Sequence, residues 1–126
     1  MTKAKQYHLN FKTVPSPNIY KPVIECDTDS SGYTLSIELA GFLASCNENE
    51  TQEIIDDVIS LDAFNSGADG YEISANEYDS VEIFSPPARA SFWNGTGYND
   101  IPLQDFLDIL NEWIAFLNSL SGKYKS

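Results

Sequence analysis

The clearest ligand-binding pattern in the sequence is DTDSSGYTLSIE, from Asp27 to Glu38. It places oxygen-bearing side chains at alternate positions, a glycine at the sharp turn and a final glutamate that could bind calcium through both oxygens. An EF-hand loop is held between two helices, but residues 22–24 favour strand, and the apolar residues of 33–39 alternate with polar ones at a period of two. We therefore expect a hairpin over Val23–Leu39, with Glu38 pointing outward from mid-strand, in preference to a calcium site.

The side chains that carry out most enzyme chemistry are scarce. His8 is the sole histidine and is predicted on the polar face of a surface strand, and nothing in the sequence connects it to Cys26 or Cys46. A nucleophilic triad and a zinc site both need groups beyond these three, and the sequence contains neither a P-loop nor a dinucleotide fingerprint. Carboxylates are so numerous that no pair of them indicates acid–base catalysis. The sequence predicts a non-enzyme without metal or cofactor.

Charge is the most informative property of the composition. The chain has 19 acidic residues against 7 basic ones, for a formal net charge of -12. All the acids lie between Lys21 and Lys123, where Arg89 is the only base. A region of this sign repels nucleic acid and anionic membrane surfaces, so we expect neither as a partner. The charge either keeps the protein soluble or complements a strongly basic protein surface.

The sequence also bears on the compartment. No apolar segment approaches the length of a membrane span. Residues 1–5 are not followed by the apolar run that is typical of a secretory signal peptide. Cys26 and Cys46 need no disulfide in a chain of this size. We expect a cytoplasmic protein with reduced cysteines.

Periodicity predicts the elements that position these residues. They form a single α+β domain over residues 1–126, with an antiparallel sheet of five to six strands, a middle helix and a long C-terminal helix packed on the sheet. Period-two alternation predicts strands over 5–13, in the hairpin and over 88–93, and either two short strands or one bent strand over 71–84. A period of 3.6 predicts the middle helix over 47–64, with Asn49 or Thr51 as its cap.

The C-terminal helix is expected over residues 101–120, with Asp100 and Pro102 marking its start and the preceding NGTGYND as a loop. Its apolar arc is broad, which is typical of a helix that covers a sheet. Alternatively, one edge of this arc contacts another subunit and makes the protein a dimer. That edge consists of Ile109, Trp113 and Phe116.

Acidic residues interleaved with aromatic ones are the candidate partner-binding residues. Tyrosine and tryptophan provide anchors at protein interfaces, and carboxylates pair with the arginines and lysines of a basic cleft. The alternative is that they are solvated strand faces and loop tips. The first set comprises Glu72, Glu77, Tyr78, Asp79, Glu82, Trp93, Tyr98 and Asp100. The second set, on the outer face of the middle helix, comprises Glu53, Asp56 and Asp57, and no lysine offsets it.

The C-terminal third, ARASFWNGTGYNDIPLQDFLDILNEWIAFLNSL, resembles small bacterial immunity proteins that neutralise polymorphic toxins, including those of contact-dependent growth inhibition. The resemblance lies in a strand, a glycine-rich turn with an aromatic residue, and a closing helix of the form F-L-x-x-L-x-x-W-x-x-F-L. It implies a cytoplasmic protein without cofactor that binds one cognate toxin domain, often a basic nuclease, in a one-to-one complex and occludes its active site. The alternatives are an acidic structural or adaptor protein, including a dimeric one, and a small-ligand or calcium-binding domain.

Overall fold

The protein has an α+β fold. The computed structural model describes residues 2–16, 19–26, 33–75, 79–93 and 97–120. Within these residues the elements are α1 (Lys3–Gln6), β1 (Leu9–Ser16), β2 (Ile19–Cys26), α2 (Tyr33–Ala44), α3 (Glu48–Leu61), β3 (Ala68–Ser74), β4 (Ser80–Ser85), β5 (Arg89–Trp93), β6 (Tyr98–Pro102) and α4 (Leu103–Ser119). β1 and β2 form a separate antiparallel hairpin, and β3 to β6 form a four-stranded antiparallel sheet in sequential order. The predicted α+β class and the long C-terminal helix are confirmed.

The four-stranded sheet is buried on one face. Successive side chains of a strand point to opposite faces, so the register decides which residues share a side. Isoleucine, valine, alanine and phenylalanine side chains occupy the inner face and are almost fully buried, namely Ile73, Val81, Ile83, Ala90, Phe92 and Ile101. The residues between them are mainly polar or aromatic and lie on the opposite face.

Three aromatic rings connect the inner face of the sheet to the helices. The ring centroid of Phe92 on β5 lies 6.2 Å from that of Phe42 on α2 and 5.8 Å from that of Phe106 on α4. Phe42 and Phe106 are themselves 5.8 Å apart, and all three contacts are edge-to-face. Such pairs contribute about 0.5–1.5 kcal/mol each beyond the burial of their area. They fix the positions of α2 and α4 against the sheet.

Helix α4 is covered on both sides, which explains its broad apolar arc. Its opposite side receives Phe11 of the β1–β2 hairpin, whose ring lies 5.0 Å from Trp113 and 5.7 Å from Phe116. The indole Nε1 of Trp113 donates a hydrogen bond to the carbonyl of Cys46, between α2 and α3, at 3.1 Å. Ile109 and Trp113 are buried within the chain, so the edge considered for a dimer contact lies largely in the core. No helix in the described ranges is both long and apolar enough to cross a membrane.

The predicted hairpin over Val23–Leu39 is wrong, because its second strand belongs to helix α2. Leu39, Phe42 and Leu43 are buried at the spacing of a helix face, whereas Ile37 of the apparent alternation is 46% exposed. A short alternating run fits a strand or a helix, and the residues that follow it decide between them. The turn predicted at 29–32, with the rest of the calcium motif before residue 33, lies outside the described residues.

The predicted strand over 5–13 is wrong at its start. Residues 3–6 form α1, and β1 begins at Leu9 and runs through Pro15 to Ser16. His8 has a φ of 63° between these elements, so it is not part of a strand face. The cause is a long-range contact: the carboxylate of Glu112 on α4 accepts hydrogen bonds from the backbone N–H groups of Lys3 at 2.8 Å and Ala4 at 2.9 Å.

Two boundaries near the ends of helices also differ from the prediction. The middle helix is confirmed as α3, but Asn47 is its N-cap instead of Asn49 or Thr51. The side chain of Asn47 accepts from the N–H of Glu50, and the Glu50 carboxylate accepts from the N–H of Asn47, which is a capping box. Residues 98–102 were expected in a loop and the start of the last helix, but they form β6, and α4 begins at Leu103.

Replacing Glu112 with alanine is expected to lower the free energy of unfolding by about 1–2 kcal/mol, because two amides at the start of α1 lose their acceptor. Glu112→Gln keeps one acceptor oxygen and is expected to lose less. Urea denaturation followed by circular dichroism measures the difference, with Glu53→Ala, a loss of an exposed carboxylate, as the control. An effect of Glu112→Ala no larger than that of the control would contradict the capping role.

Candidate functional site

The outer side of the four-stranded sheet brings five of the predicted partner-binding residues together. The register pairs Glu72 with Glu82, Glu82 with Ser91, and Ser91 with Asp100, so these four residues form one row across the sheet. The neighbouring rows contain the pairs Trp93–Tyr98 and Phe84–Arg89. We call this surface the open face, defined by Glu72, Glu82, Phe84, Arg89, Ser91, Trp93, Tyr98 and Asp100.

Tyr98 extends across the middle of the open face. Tyr98 lies on β6, and its hydroxyl donates a hydrogen bond to Oε1 of Glu82 on β4 at 2.8 Å, although β5 lies between these two strands. Ser91 occupies the intervening position on β5, and its small side chain leaves room for the ring and is buried. The hydrogen bond to Glu82, burial, and the charges of Glu82 and Glu72 raise the pKa of Tyr98. The phenol is therefore a stable donor that fixes the Glu82 carboxylate.

Aromatic surface beside these carboxylates is accessible to a partner. Trp93 is 56% exposed and Tyr98 is 50% exposed. Their ring centroids lie 5.1 Å apart in a T-shaped arrangement, and Phe84 lies 6.1 Å from Tyr98 on the other side. Large rings with few rotatable bonds are effective interface anchors, especially when they adjoin one another. The two exposed rings thus belong to one continuous surface and are not isolated loop tips.

Arg89 shows how the open face holds a positive charge. Its guanidinium carbon lies 4.9 Å from the centroid of the Phe84 ring, and its Nε lies 3.4 Å from Oδ2 of Asp100. The other oxygen of Asp100 accepts a hydrogen bond from the Ser91 hydroxyl. The cation therefore contacts an aromatic ring and a carboxylate at the same time.

The second acidic set meets the sheet at its edge. A groove of about 260 Å³ separates α3 from the edge strand β3. Its carboxylates come from Glu50, Glu53 and Asp57 on α3 and from Glu72 on β3, and Tyr71 also lines it. Glu72 thus borders both the groove and the open face. Two of the three predicted residues of α3, Glu53 and Asp57, join this acidic surface, whereas Asp56 is exposed on α3 and does not line the groove.

The buried thiol of Cys46 also lines the groove. Burial, followed by the charges of Glu50 and Asp79, raises its pKa to about 12. Only a thiolate is a good nucleophile or metal ligand, and this thiol stays protonated at neutral pH. Within the described part of the chain, no group of three or more histidine, cysteine, aspartate or glutamate residues could hold a metal ion.

Glu38 and Asp79 lie together near one end of the sheet, beside Trp93. A small cavity of about 80 Å³ is lined by both carboxylates, together with Ser80, Phe92 and Trp93. Glu38 is on α2, not on a strand as predicted, and its carboxylate accepts from the Nδ2 of Asn99 at 3.3 and 3.4 Å. Burial raises its pKa, partly opposed by this hydrogen bond. Both of its oxygens are therefore engaged by β6.

The structure thus divides the predicted residues into groups. Asp79 is not part of the open face: its carboxylate lies close to Gly41 of α2, in the small cavity beside Trp93. Glu77 and Tyr78 lie outside the described residues. Phe84, Arg89 and Ser91 were missed as site residues, although Arg89 and Ser91 share the alternation of Trp93 in ARASFW. Pairing of that strand with YNDIP places Ser91 opposite Asp100, but the sequence predicts a loop over YND.

Replacing Glu82 with glutamine is expected to lower the pKa of Tyr98, because the hydrogen bond to a charged acceptor and the nearby negative charge both oppose formation of the phenolate. The measurement is an NMR titration of the ring carbon that bears the hydroxyl, in protein labelled at tyrosine. Glu53→Gln removes a charge of the same sign away from Tyr98 and serves as the control. Identical Tyr98 titrations in the wild type and Glu82→Gln would refute the contact.

Glu38→Gln is expected to make stability less dependent on pH. The pKa of Glu38 is raised in the folded state, so as pH rises the unfolded chain loses the Glu38 proton at a lower pH than the folded protein does. The free energy of unfolding therefore falls as pH rises from the ordinary pKa of 4.5 through the folded-state pKa. Glutamine still accepts from Asn99 and has no such loss. Urea denaturation from about pH 4 to about pH 7 should therefore show the variant gaining on the wild type as pH rises. A difference that is constant across this range would contradict the shift.

Comparison of the chain with protein-family models, with curated proteins and with solved structures finds no match. The resemblance of the C-terminal third to immunity proteins therefore stays a prediction. The candidate functional residues are those that the geometry brings together, in the open face and in the acidic groove at its edge.

Proposed function

We propose that this protein is an immunity protein, which binds a basic toxin domain through the open face and blocks the active site of that domain. The observation that carries the proposal is the assembly of Glu72, Glu82, Trp93, Tyr98 and Asp100 into one accessible surface. These residues come from four strands, and their types are those that anchor a basic protein partner.

The charge of the partner follows from the charge of the surface. The open face has three carboxylates against the one guanidinium of Arg89, and the groove beside it adds those of Glu50, Glu53 and Asp57. A nuclease holds phosphates in a basic cleft, so an acidic surface with exposed rings is complementary to such a cleft. Electrostatic attraction accelerates the encounter of the two proteins. The rings of Trp93 and Tyr98, once buried against the partner in the complex, then slow dissociation.

A one-to-one complex fits the surface better than a dimer of this chain. Two copies facing each other through the open face would bring their carboxylates together, which costs free energy. The apolar edge of α4 that could have served a dimer lies largely in the core. In the proposed role the protein acts in the cytoplasm and needs neither a cofactor nor a catalytic group.

The direct test is bacterial growth. The C-terminal domain encoded by the neighbouring upstream gene is expressed with and without this protein, and rescue from its toxicity that is specific to the pair is the expected result. Growth arrest that persists in the presence of the protein would refute immunity for that pair.

The placement of the interface is tested in the same assay with a double charge reversal, Glu72→Lys with Glu82→Lys. We expect loss of rescue and an affinity for the toxin domain lower by about 100-fold or more, because each reversal replaces an attraction with a repulsion. The control is the double variant Asp56→Lys with Asp108→Lys, which changes the net charge by the same amount but on α3 and α4. This control should retain rescue. Circular dichroism confirms that both variants fold. Equal losses in the two variants would show that only the total charge matters.

A further inference from the structure

Two carboxylates of the open face oppose each other, and the described part of the chain places no cation between them. Glu72 and Glu82 are direct cross-strand partners on β3 and β4, and like charges in this arrangement are destabilising. Among the described residues, no lysine or arginine forms an ion pair with either of them. Oε1 of Glu82 accepts a hydrogen bond from the Tyr98 hydroxyl. Oε2 lies close to Gly70 of β3, 3.1 Å from the position that a Cβ atom would occupy on that residue. A cation bound here would relieve the repulsion.

The same face already binds one guanidinium internally. Arg89 lies over the ring of Phe84 and pairs with Asp100. Trp93 and Tyr98 repeat the combination of rings and carboxylates, with Glu82 on the Tyr98 hydroxyl and Glu72 beside it. We call these four residues the aromatic corner. The described residues provide no cation for this second arrangement.

The chemistry of the corner discriminates between the two basic side chains. A guanidinium is planar and weakly hydrated, so it stacks on an aromatic ring while its N–H groups donate to a carboxylate. An ammonium is compact and strongly hydrated, and it gains less from the exposed faces of Trp93 and Tyr98. We propose that the aromatic corner binds an arginine side chain of the protein partner in preference to a lysine. This inference rests on the proposed function for the existence of a basic protein partner.

The occupant follows from charge complementarity. The carboxylates repel a nucleic acid and an anionic lipid surface, so neither is the occupant of the corner. A purely apolar segment of a partner would bury the carboxylates without pairing them, which is costly. An arginine presented by a basic protein satisfies both the rings and the carboxylates. The corner therefore sets a preference within the class of basic partners, beyond attraction by net charge.

The test uses capped hexa-arginine and hexa-lysine peptides, which have equal charge, and isothermal titration calorimetry of the full chain at low salt. We expect hexa-arginine to bind at least about fivefold more tightly, the size of one cation–π contact at a partly desolvated site. Trp93→Leu should bring the ratio of the two affinities close to one while binding by charge persists. Phe64→Leu removes an aromatic ring of similar exposure, 53%, that is not a member of the open face, and it should leave the ratio unchanged.

Three results would overturn the inference: equal affinities for the two peptides, an arginine preference that survives in Trp93→Leu, or no binding of either peptide. The peptide experiment is independent of the growth assay. Rescue of growth with equal peptide affinities would refute the arginine preference and leave immunity standing. A preference that depends on Trp93, without rescue by this protein, would refute only immunity for that pair and leave the arginine site standing.

Discussion

The contact of Phe92 with Phe42 and Phe106 determines which face of the four-stranded sheet is buried. Because side chains alternate along β5, placing Phe92 inward directs Ser91 and Trp93 outward, and the register then aligns Glu82, Tyr98 and Asp100 with them. A slip of one residue would move these charges into the core. The packing that stabilises the fold therefore also positions the surface that we propose to be functional.

Helix α4 completes this constraint because it is covered from two directions. The sheet contacts it through Phe106, and the β1–β2 hairpin contacts it through Trp113 and Phe116. Helices α2 and α4 thus lie on the inner side of the sheet, and within the described chain the open face retains exposed rings. A helix with so much apolar surface suggests an interface when only the sequence is known. Here its partners are elements of the same chain.

The sequence predicted those elements whose periodicity is long and regular. The α+β class, α3 and α4 follow from such patterns. It failed where distant residues decide the local structure: α1 is held by Glu112, more than one hundred positions away, and the strand pattern of 33–39 gave way to the helix that buries Leu39, Phe42 and Leu43. Such contacts leave no periodic signal in the segment that they control.

The candidate site was predicted by residue type and not by arrangement. Glu72, Glu82, Trp93, Tyr98 and Asp100 are acidic or aromatic, so composition alone drew attention to them. That Tyr98 reaches across β5 could not be foreseen, because it depends on a small residue at position 91 and on β6, whose residues the sequence predicts as a loop and the start of a helix. Asp79, chosen by the same criterion, lies outside the open face because it precedes β4 and its carboxylate lies next to Gly41 of α2.

The alternation along β5 has an evolutionary consequence. Ala90 and Phe92 point into the core, whereas Ser91 and Trp93 point to the open face, so each residue of the proposed binding face sits next to one that stabilises the fold. Substitutions at the outward positions can accumulate without disturbing the inward ones. A chain built in this way can acquire a new binding specificity by changing a few side chains on adjacent strands, while its backbone and its core stay the same.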